Sequence, residues 1–265
     1  MADPDEGLMP DGTIRTGAQR ERVPPLFEPI LAEATRAAEQ RGGSLYLYGS
    51  VATGAARPGL SDVDLLSVDF GEAATLGDQL SAKYADRCRA VEIATATAAD
   101  FERQNDAAYG NRVFIRHYCV HLTGPDRSAT LPAYPADARA ARGFNGDIGQ
   151  HLQRWRQLLG SSPQQVEVLG RRVARKSLLA VAGLVSVHDG TWTTDRPPAL
   201  RWGGVQPELA ADLAQLMSWA DGGSRPTPLD VQKAVADGGI VPTIVEDFAR
   251  LVGLWREAPD SPSTR

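Results

Sequence analysis

The chain has 265 residues, of which 42% are hydrophobic, and a formal net charge of −5. This length and apolar content suffice for one or two buried cores and favour two domains. The acidic balance disfavours a nucleic-acid partner, because such partners normally bind a basic face that neutralises phosphates. The longest apolar run, Leu178 to Val187, is roughly half the length of a membrane span. We therefore expect a protein without a membrane anchor.

The ends of the chain and its cysteines indicate a cytoplasmic protein. The N-terminus is acidic and lacks the basic stretch and apolar core of a secretory signal. Cys88 and Cys119 do not have a metal-ligand spacing, which favours a reducing compartment. Residues 1–22 and 258–265 are polar, charged and rich in Gly, Pro and Ser, a composition that predicts disordered tails.

In the first half of the chain, predicted helices and strands alternate. A helix begins at Pro24-Pro25 and ends near Gln40, before a Gly-Gly pair. Apolar alternation and β-branched residues then predict strands, with one more helix among them. The predicted strands are 44–48, 62–69, 89–97 and 113–122, and the helix is 75–86. These elements predict a mixed α/β domain over residues 23–130.

Helices alone are predicted in the second half of the chain. Glycines stand at their ends and prolines at several of their starts, as is usual for helix termini. The predicted helices are 137–159, 164–188, 207–221, 228–236 and 242–257. We therefore expect a helical domain over residues 136–257 that contributes to substrate binding, with the site in the cleft between the two domains.

Residues 45–69 contain the pattern with the clearest chemical meaning. An apolar strand leads to Gly49-Ser50, and a second strand contains Asp62 and Asp64. Because side chains alternate along a strand, these two carboxylates face the same side. Like charges held so close repel each other unless a cation lies between them. Mg²⁺ suits the pair, because it is usually held by one or two carboxylates plus substrate phosphates.

Gly49 and Ser50 supply the phosphate-binding end of the predicted site. Glycine permits close backbone approach to a phosphate, and we expect a helix starting after it to direct N–H groups at the anion. A P-loop is excluded, because Ala55 and Ala56 follow Gly54 where that motif requires Lys and then Ser or Thr.

The spacing of Gly49, Ser50, Asp62 and Asp64 resembles the signature of the nucleotidyltransferase superfamily related to DNA polymerase beta. In that superfamily a third carboxylate lies on a neighbouring strand, and the resemblance assigns this role to Glu92. Taken alone, Glu92 fits a solvent-facing strand residue equally well.

Within the superfamily, the chain resembles the aminoglycoside nucleotidyltransferases, especially the streptomycin and spectinomycin adenylyltransferase branch. The stretches that carry this resemblance are Val91 to Ile93, Val120 to Pro125 and Leu178 to Trp202. The resemblance implies an antibiotic-resistance enzyme that transfers AMP from ATP to a hydroxyl of an aminoglycoside. Mg²⁺ and ATP would be required, and Glu92 would be either the general base or a third metal ligand.

The helical half departs from that branch. Its members hold the cationic drug with acidic residues, whereas the segment Gly170 to Lys176 is strongly basic. We expect Glu167, together with either Asp147 or Asp189, to contact the acceptor.

Two further residues are candidates for substrate contacts. Tyr109, in a predicted loop extending to Asn111, is a candidate acceptor contact. Lys176 is a candidate contact for the triphosphate, although a solvated helix lysine is equally expected.

Two other interpretations are compatible with this sequence. The chain would be either a nucleotidyltransferase that acts on a protein or a tRNA end, as in some toxin–antitoxin systems, or a nucleotide-binding module without turnover. The three carboxylates disfavour the module, and the net charge disfavours tRNA. We expect a monomer that takes a small-molecule acceptor.

Overall fold

The computed structural model describes residues 3–160 and 162–256. The strands β1 to β6 are Gly7–Leu8, Ile14–Arg15, Ser44–Tyr48, Val63–Val68, Val91–Ala96 and Val120–Thr123. The α-helices α1 to α12 are Glu28–Arg41, Gly49–Ala52, Ala73–Lys83, Ala99–Glu102, Asp106–His117, Ala138–Asn145, Ile148–Leu158, Pro163–Asp189, Trp202–Val205, Ala210–Asp221, Pro228–Val235 and Ile240–Leu251. Short 3₁₀ helices are Arg20–Arg22, Pro25–Phe27, Pro197–Arg201 and Pro207–Leu209.

The chain divides into two compact units. Unit 1 comprises Met1–Gln104 and Asn111–Pro135, and unit 2 comprises Asn105–Gly110 and Ala136–Arg265. The first is built around a small sheet and the second is helical, so the predicted fold class is confirmed. The tail predicted at 258–265 lies outside the described residues.

Unit 1 contains a four-stranded mixed sheet with the order β5-β4-β3-β6. The central strand β3 is antiparallel to β4 and β6, whereas β4 and β5 are parallel. Alternation along the strands gives each face its own core. Leu45, Leu47 and Leu65 pack with helices α1 and α3 on one face, and Tyr46 and Leu66 pack on the other. Odd-numbered residues of β4 thus anchor the strand, and the even-numbered face contains Asp64.

The prediction of a disordered tail over residues 1–22 is wrong for the described part. Strands β1 and β2 pair in antiparallel fashion, and Ile14 is buried with 3% of its surface exposed. The Arg22 guanidinium forms an ion pair with Asp5. Composition alone predicted disorder because the segment is polar, but its charges are paired with one another.

The prediction of a strand over residues 113–122 is also wrong for the first half of that range. Residues 106–117 form helix α5, and only 120–123 extend the sheet. The β-branched and aromatic residues between Val113 and Ile115 favour a strand locally. Tertiary packing overrides that preference, because Gly110 lies against Gly143 so closely that a Cβ on Gly110 would lie 2.4 Å from the Gly143 carbonyl oxygen. The loop predicted around Tyr109 is therefore a helix.

Unit 2 is organised around α8, a helix of 27 residues. Its N-terminus has a capping box in which Ser162 and Gln165 satisfy each other's backbone N–H groups, and it ends at Gly190, which has a left-handed φ of 61°. The helix predicted over 137–159 is two helices, α6 and α7, separated at Gly146. Buried apolar residues of α8 include Val173, Leu178 and Val181.

Among the described residues, no helix combines the length and apolar character that crossing a membrane requires.

Gly49 provides a test of the turn between β3 and α2. Its φ is 72°, and an added Cβ would lie 2.3 Å from Oδ2 of Asp64. Gly59 has a similar φ of 70° with nothing within 4 Å of such a Cβ. We expect both Gly49→Ala and Gly59→Ala to lower the free energy of unfolding by about 1–2 kcal/mol, because both backbones are left-handed.

Only Gly49→Ala should also displace the Asp64 carboxylate, and it should therefore weaken Mn²⁺ binding roughly tenfold or more. Urea denaturation and Mn²⁺ titration followed by electron paramagnetic resonance would measure the two effects. Equal losses of Mn²⁺ affinity in both variants would contradict a role for the Gly49–Asp64 contact.

Candidate functional site

The carboxylates predicted from the sequence lie on adjacent strands of unit 1. Asp64 on β4 pairs in parallel register with Glu92 on β5. Asp62 precedes β4 by one residue, and its side chain is 12% exposed. The flanking side chains of Val63 and Leu65 are fully buried on the opposite face of the strand. Core packing on one face thus directs Asp64 to the other.

The environment of Asp64 raises its pKa. Burial raises the pKa of Asp64 to about 6, and the negative charges of Asp62 and Glu92 add to the rise. At neutral pH the carboxylate is therefore mostly ionised, although its surroundings disfavour the negative charge. A cation bound at this point would relieve the repulsion, and the all-oxygen donor set suits a hard ion such as Mg²⁺.

Tyr48 is a site residue that sequence reasoning missed. It ends β3 directly before Gly49, and its backbone pairs with Asp64. Burial raises the pKa of the Tyr48 phenol, and the charge of Asp64 raises it further. The phenol therefore stays protonated beside the carboxylates. Its ring packs edge-on against Phe114, with centroids 5.1 Å apart. A tyrosine immediately before the Gly-Ser pair was the available signal.

The helix that starts at the Gly49-Ser50 turn is shorter than the phosphate-binding helix that the sequence suggests. Helix α2 is a single turn, Gly49–Ala52, so its dipole is smaller than that of a full helix. Ser50 is partly exposed, and its hydroxyl has no hydrogen-bond partner within the described part of the chain. Close approach of Gly49 to Asp64 places this turn directly beside the carboxylates.

Arg89 is the second residue that sequence reasoning missed. Its Nε donates to Oδ1 of Asp62 at 2.9 Å, and its Nη2 donates to Oδ2, so both carboxylate oxygens are occupied. The Arg89 side chain is 69% exposed. Over residues 3–160 and 162–256, no three His, Cys, Asp or Glu side chains are arranged as a metal site. The positive charge that balances Asp62 in this structure is therefore the Arg89 guanidinium.

Lys176, a candidate for triphosphate binding, is engaged within unit 2. Its ammonium lies 2.7 Å from an Asp147 carboxylate oxygen and donates to the Phe144 carbonyl and the Asn145 side chain at 3.1 and 3.2 Å. These contacts join α8 to the turn between α6 and α7. The lysine therefore serves a structural purpose in this arrangement.

The acidic candidates for an acceptor contact are also paired. Glu167 accepts from Arg171 one turn along α8 at 3.0 Å. Asp189 lies 2.8 Å from the His188 ring and 3.2 Å from Arg201. A cationic ligand would have to displace these partners before it gained a carboxylate.

Tyr109 is covered by a cation. The ring is 7% exposed, and the Arg139 guanidinium lies 4.0 Å from its centroid. One face of the ring therefore already makes a cation–π contact within unit 2. Stacking of a base or sugar on that face requires Arg139 to move.

Replacing Asp64 tests the cost of holding its charge in a buried position beside two other carboxylates. The folded-state pKa of about 6 exceeds the usual 3.8, so stability falls as pH rises from about 4 through 6, and the full cost is present above 6. We expect Asp64→Asn to stabilise the metal-free protein by about 1–3 kcal/mol at pH 7 and to give no gain below pH 4. Urea denaturation at several pH values measures this. A variant less stable than the wild type at pH 7 would show that the ionised Asp64 carboxylate does not destabilise the fold.

Replacing Arg89 tests its competition with a metal. Because the Arg89 side chain is 69% exposed and water screens its charge, we expect Arg89→Gln to tighten Mn²⁺ binding without nucleotide by only roughly two- to fivefold. Arg87→Gln is the matched control, since Arg87 is a near neighbour whose carboxylate contact is with Asp86 at 3.8 Å. Calorimetric Mn²⁺ titration would compare the two, and an equal gain in both would indicate a general charge effect.

Comparison with known proteins agrees with this geometry. Residues 30–107 match the family model described as a nucleotidyltransferase domain. The matched segment contains the Gly-Ser turn and all three carboxylates of the candidate site. No curated protein matches the chain. The match supports a domain of the nucleotidyltransferase superfamily within residues 30–107, and transferase chemistry for that domain.

Proposed function

We propose that the protein is a Mg²⁺-dependent nucleotidyltransferase that moves AMP from ATP to a hydroxyl group of a small molecule. The observation that carries the proposal is the pairing of Asp64 with Glu92 beside Gly49, inside the segment that matches the nucleotidyltransferase domain. Domains of this family generally use a nucleoside triphosphate and a divalent metal ion.

Asp62 and Asp64 are the residues that would hold the metal, with Glu92 as a third ligand or as a base. The raised pKa of Asp64 supports this choice, because burial and the negative charges of Asp62 and Glu92 oppose its ionisation, and the exposed Arg89 offsets them only in part. When bound, Mg²⁺ supplies charge neutralisation at the triphosphate oxygens. The Arg89 guanidinium would have to leave Asp62 as the metal enters.

The chain's own groups account for orientation and proton transfer. The Gly49 turn lets the triphosphate approach the backbone, and the Ser50 hydroxyl is available to donate to a phosphate oxygen. The acceptor hydroxyl oxygen bonds to the α-phosphorus while the bond to the α,β-bridging oxygen breaks, and pyrophosphate leaves with that electron pair. Glu92, exposed on β5, receives the hydroxyl proton in the version of the mechanism where it is the base.

The acceptor is the less constrained part of the proposal. Resemblance to the aminoglycoside adenylyltransferases favours an aminoglycoside and a role in antibiotic resistance. However, an ammonium group that loses water needs a carboxylate or carbonyl partner, and Glu167 and Asp189 are already ion-paired. A protein or tRNA acceptor, or nucleotide binding without turnover, are the alternatives.

Mass spectrometry separates these alternatives. The full chain is incubated with Mg²⁺, each nucleoside triphosphate in turn, and a panel of aminoglycosides, hydroxylated metabolites, tRNA and lysate protein. An AMP adduct on a small molecule supports the proposal, whereas an adduct on protein or RNA supports the alternative acceptor class. Absence of any adduct under all conditions would favour the binding module.

Variants of the carboxylates test the catalytic assignment. We expect Asp64→Ala to abolish transfer, and Glu92→Gln to keep nucleotide binding but to lose about 10²–10⁴-fold in rate if Glu92 is the base. Glu21→Gln, an exposed carboxylate of unit 1, is the control and should leave the rate unchanged. An unchanged rate in Asp64→Ala would show that the site lies elsewhere.

A further inference from the structure

A groove runs between helices α7 and α8 of unit 2, and nothing in the proposed chemistry uses it. It consists of two adjoining cavities of about 400 and 410 Å³ that share Leu158, Leu169 and Arg172. The larger volume falls in the range of small-molecule sites. We call it the α7–α8 groove.

The polar lining of the α7–α8 groove is strongly basic. Arg154, Arg172, Arg175 and Lys176 line it, and neither cavity has an aspartate or glutamate in its lining. Across the described residues, Arg154 and Arg172 have no carboxylate within ion-pair distance. This concentration of positive charge contrasts with the net charge of −5 of the whole chain.

Of the two groove cations that have partners, only Lys176 is neutralised. Arg175 donates through Nε to the Ala220 carbonyl at 3.4 Å, which does not neutralise it. Lys176 is balanced by Asp147, which the His151 ring also contacts at 3.1 Å. The groove therefore keeps about three uncompensated positive charges, from Arg154, Arg172 and Arg175.

The rest of the α7–α8 groove lining is largely apolar. Leu158 is 49% exposed and Val168 is 51% exposed, and both lie in its lining. Trp155 contributes to the floor with only 4% of its surface exposed, and its ring stacks on His151 with centroids 5.3 Å apart. A nucleobase therefore finds no free aromatic face here, whereas an aliphatic group would cover the exposed leucine and valine.

We propose that the α7–α8 groove binds a small organic phosphate, or a chemically similar oxyanion, whose body is aliphatic. The arginines would bind the anionic head, since guanidinium groups match phosphate oxygens in a bidentate manner. Leu158 and Val168 would cover the aliphatic body. This inference concerns residues 151–179 alone, so it does not depend on nucleotidyl transfer in unit 1.

Two adjacent arginines make a matched test. Arg172 lines the α7–α8 groove, whereas Arg171 does not line it and pairs with Glu167. Isothermal titration of the full chain with hexyl phosphate, without Mg²⁺ or ATP, should show binding that is weaker by roughly tenfold in Arg172→Gln. The Arg171→Gln variant should bind as the wild type does. Circular dichroism checks that both variants are folded.

Other ligands test separately the binding of the anionic head and the binding of the aliphatic body. Hexyl phosphate should bind more tightly than inorganic phosphate, and hexylamine should not bind. Equal affinity for inorganic phosphate would overturn the aliphatic part, and equal weakening in Arg171→Gln would overturn the assignment to the groove. Displacement of hexyl phosphate by Mg²⁺-ATP would show that the groove belongs to the nucleotide instead.

Discussion

The register between β4 and β5 is the constraint on which the candidate site depends. It places Asp64 beside Glu92, with Asp62 two residues before, and so concentrates negative charge at one edge of the sheet. Burial of Asp64 together with these neighbouring charges opposes folding, since the two raise its pKa to about 6. The strand is held in place by its other face, where Val63 and Leu65 are fully buried. Hydrophobic burial therefore maintains a set of charges that would otherwise separate.

Three neighbouring features fit this charge concentration. Gly49 leaves room for the Asp64 carboxylate, since a Cβ there would collide with it. Tyr48 offers a phenol that remains neutral, because burial and the charge of Asp64 raise its pKa. Arg89 provides a positive charge that is exposed and therefore easily displaced. Together they make a site that tolerates its own repulsion and whose exposed guanidinium could give way to a metal ion under the proposed function.

The parts of the site that follow local rules could be predicted from the sequence. Asp62 and Asp64 share a face because alternation along a strand depends only on spacing, and the Gly-Ser turn follows an apolar strand. Arg89 could not be predicted as the partner of Asp62, since 27 residues separate them and many arginines compete. Local β propensity predicts a strand over the end of helix α5. The helix forms because Gly110 packs closely on Gly143, and this tertiary contact cannot be predicted from local sequence.

The ion pairing of charged residues in the helical unit is a second property that sequence alone does not predict. Arg171 and Arg172 are adjacent and chemically identical, yet one lies one turn from Glu167 and pairs with it, and the other lines the α7–α8 groove. Sequence alone reports two arginines and one nearby glutamate, from which an acidic acceptor contact is a reasonable prediction. Helix phase reverses that interpretation, because it neutralises the glutamate and leaves Arg172 exposed beside Arg175 and Lys176. The α7–α8 groove therefore offers a ligand more positive than negative charge, which favours an anionic ligand over a polycation there.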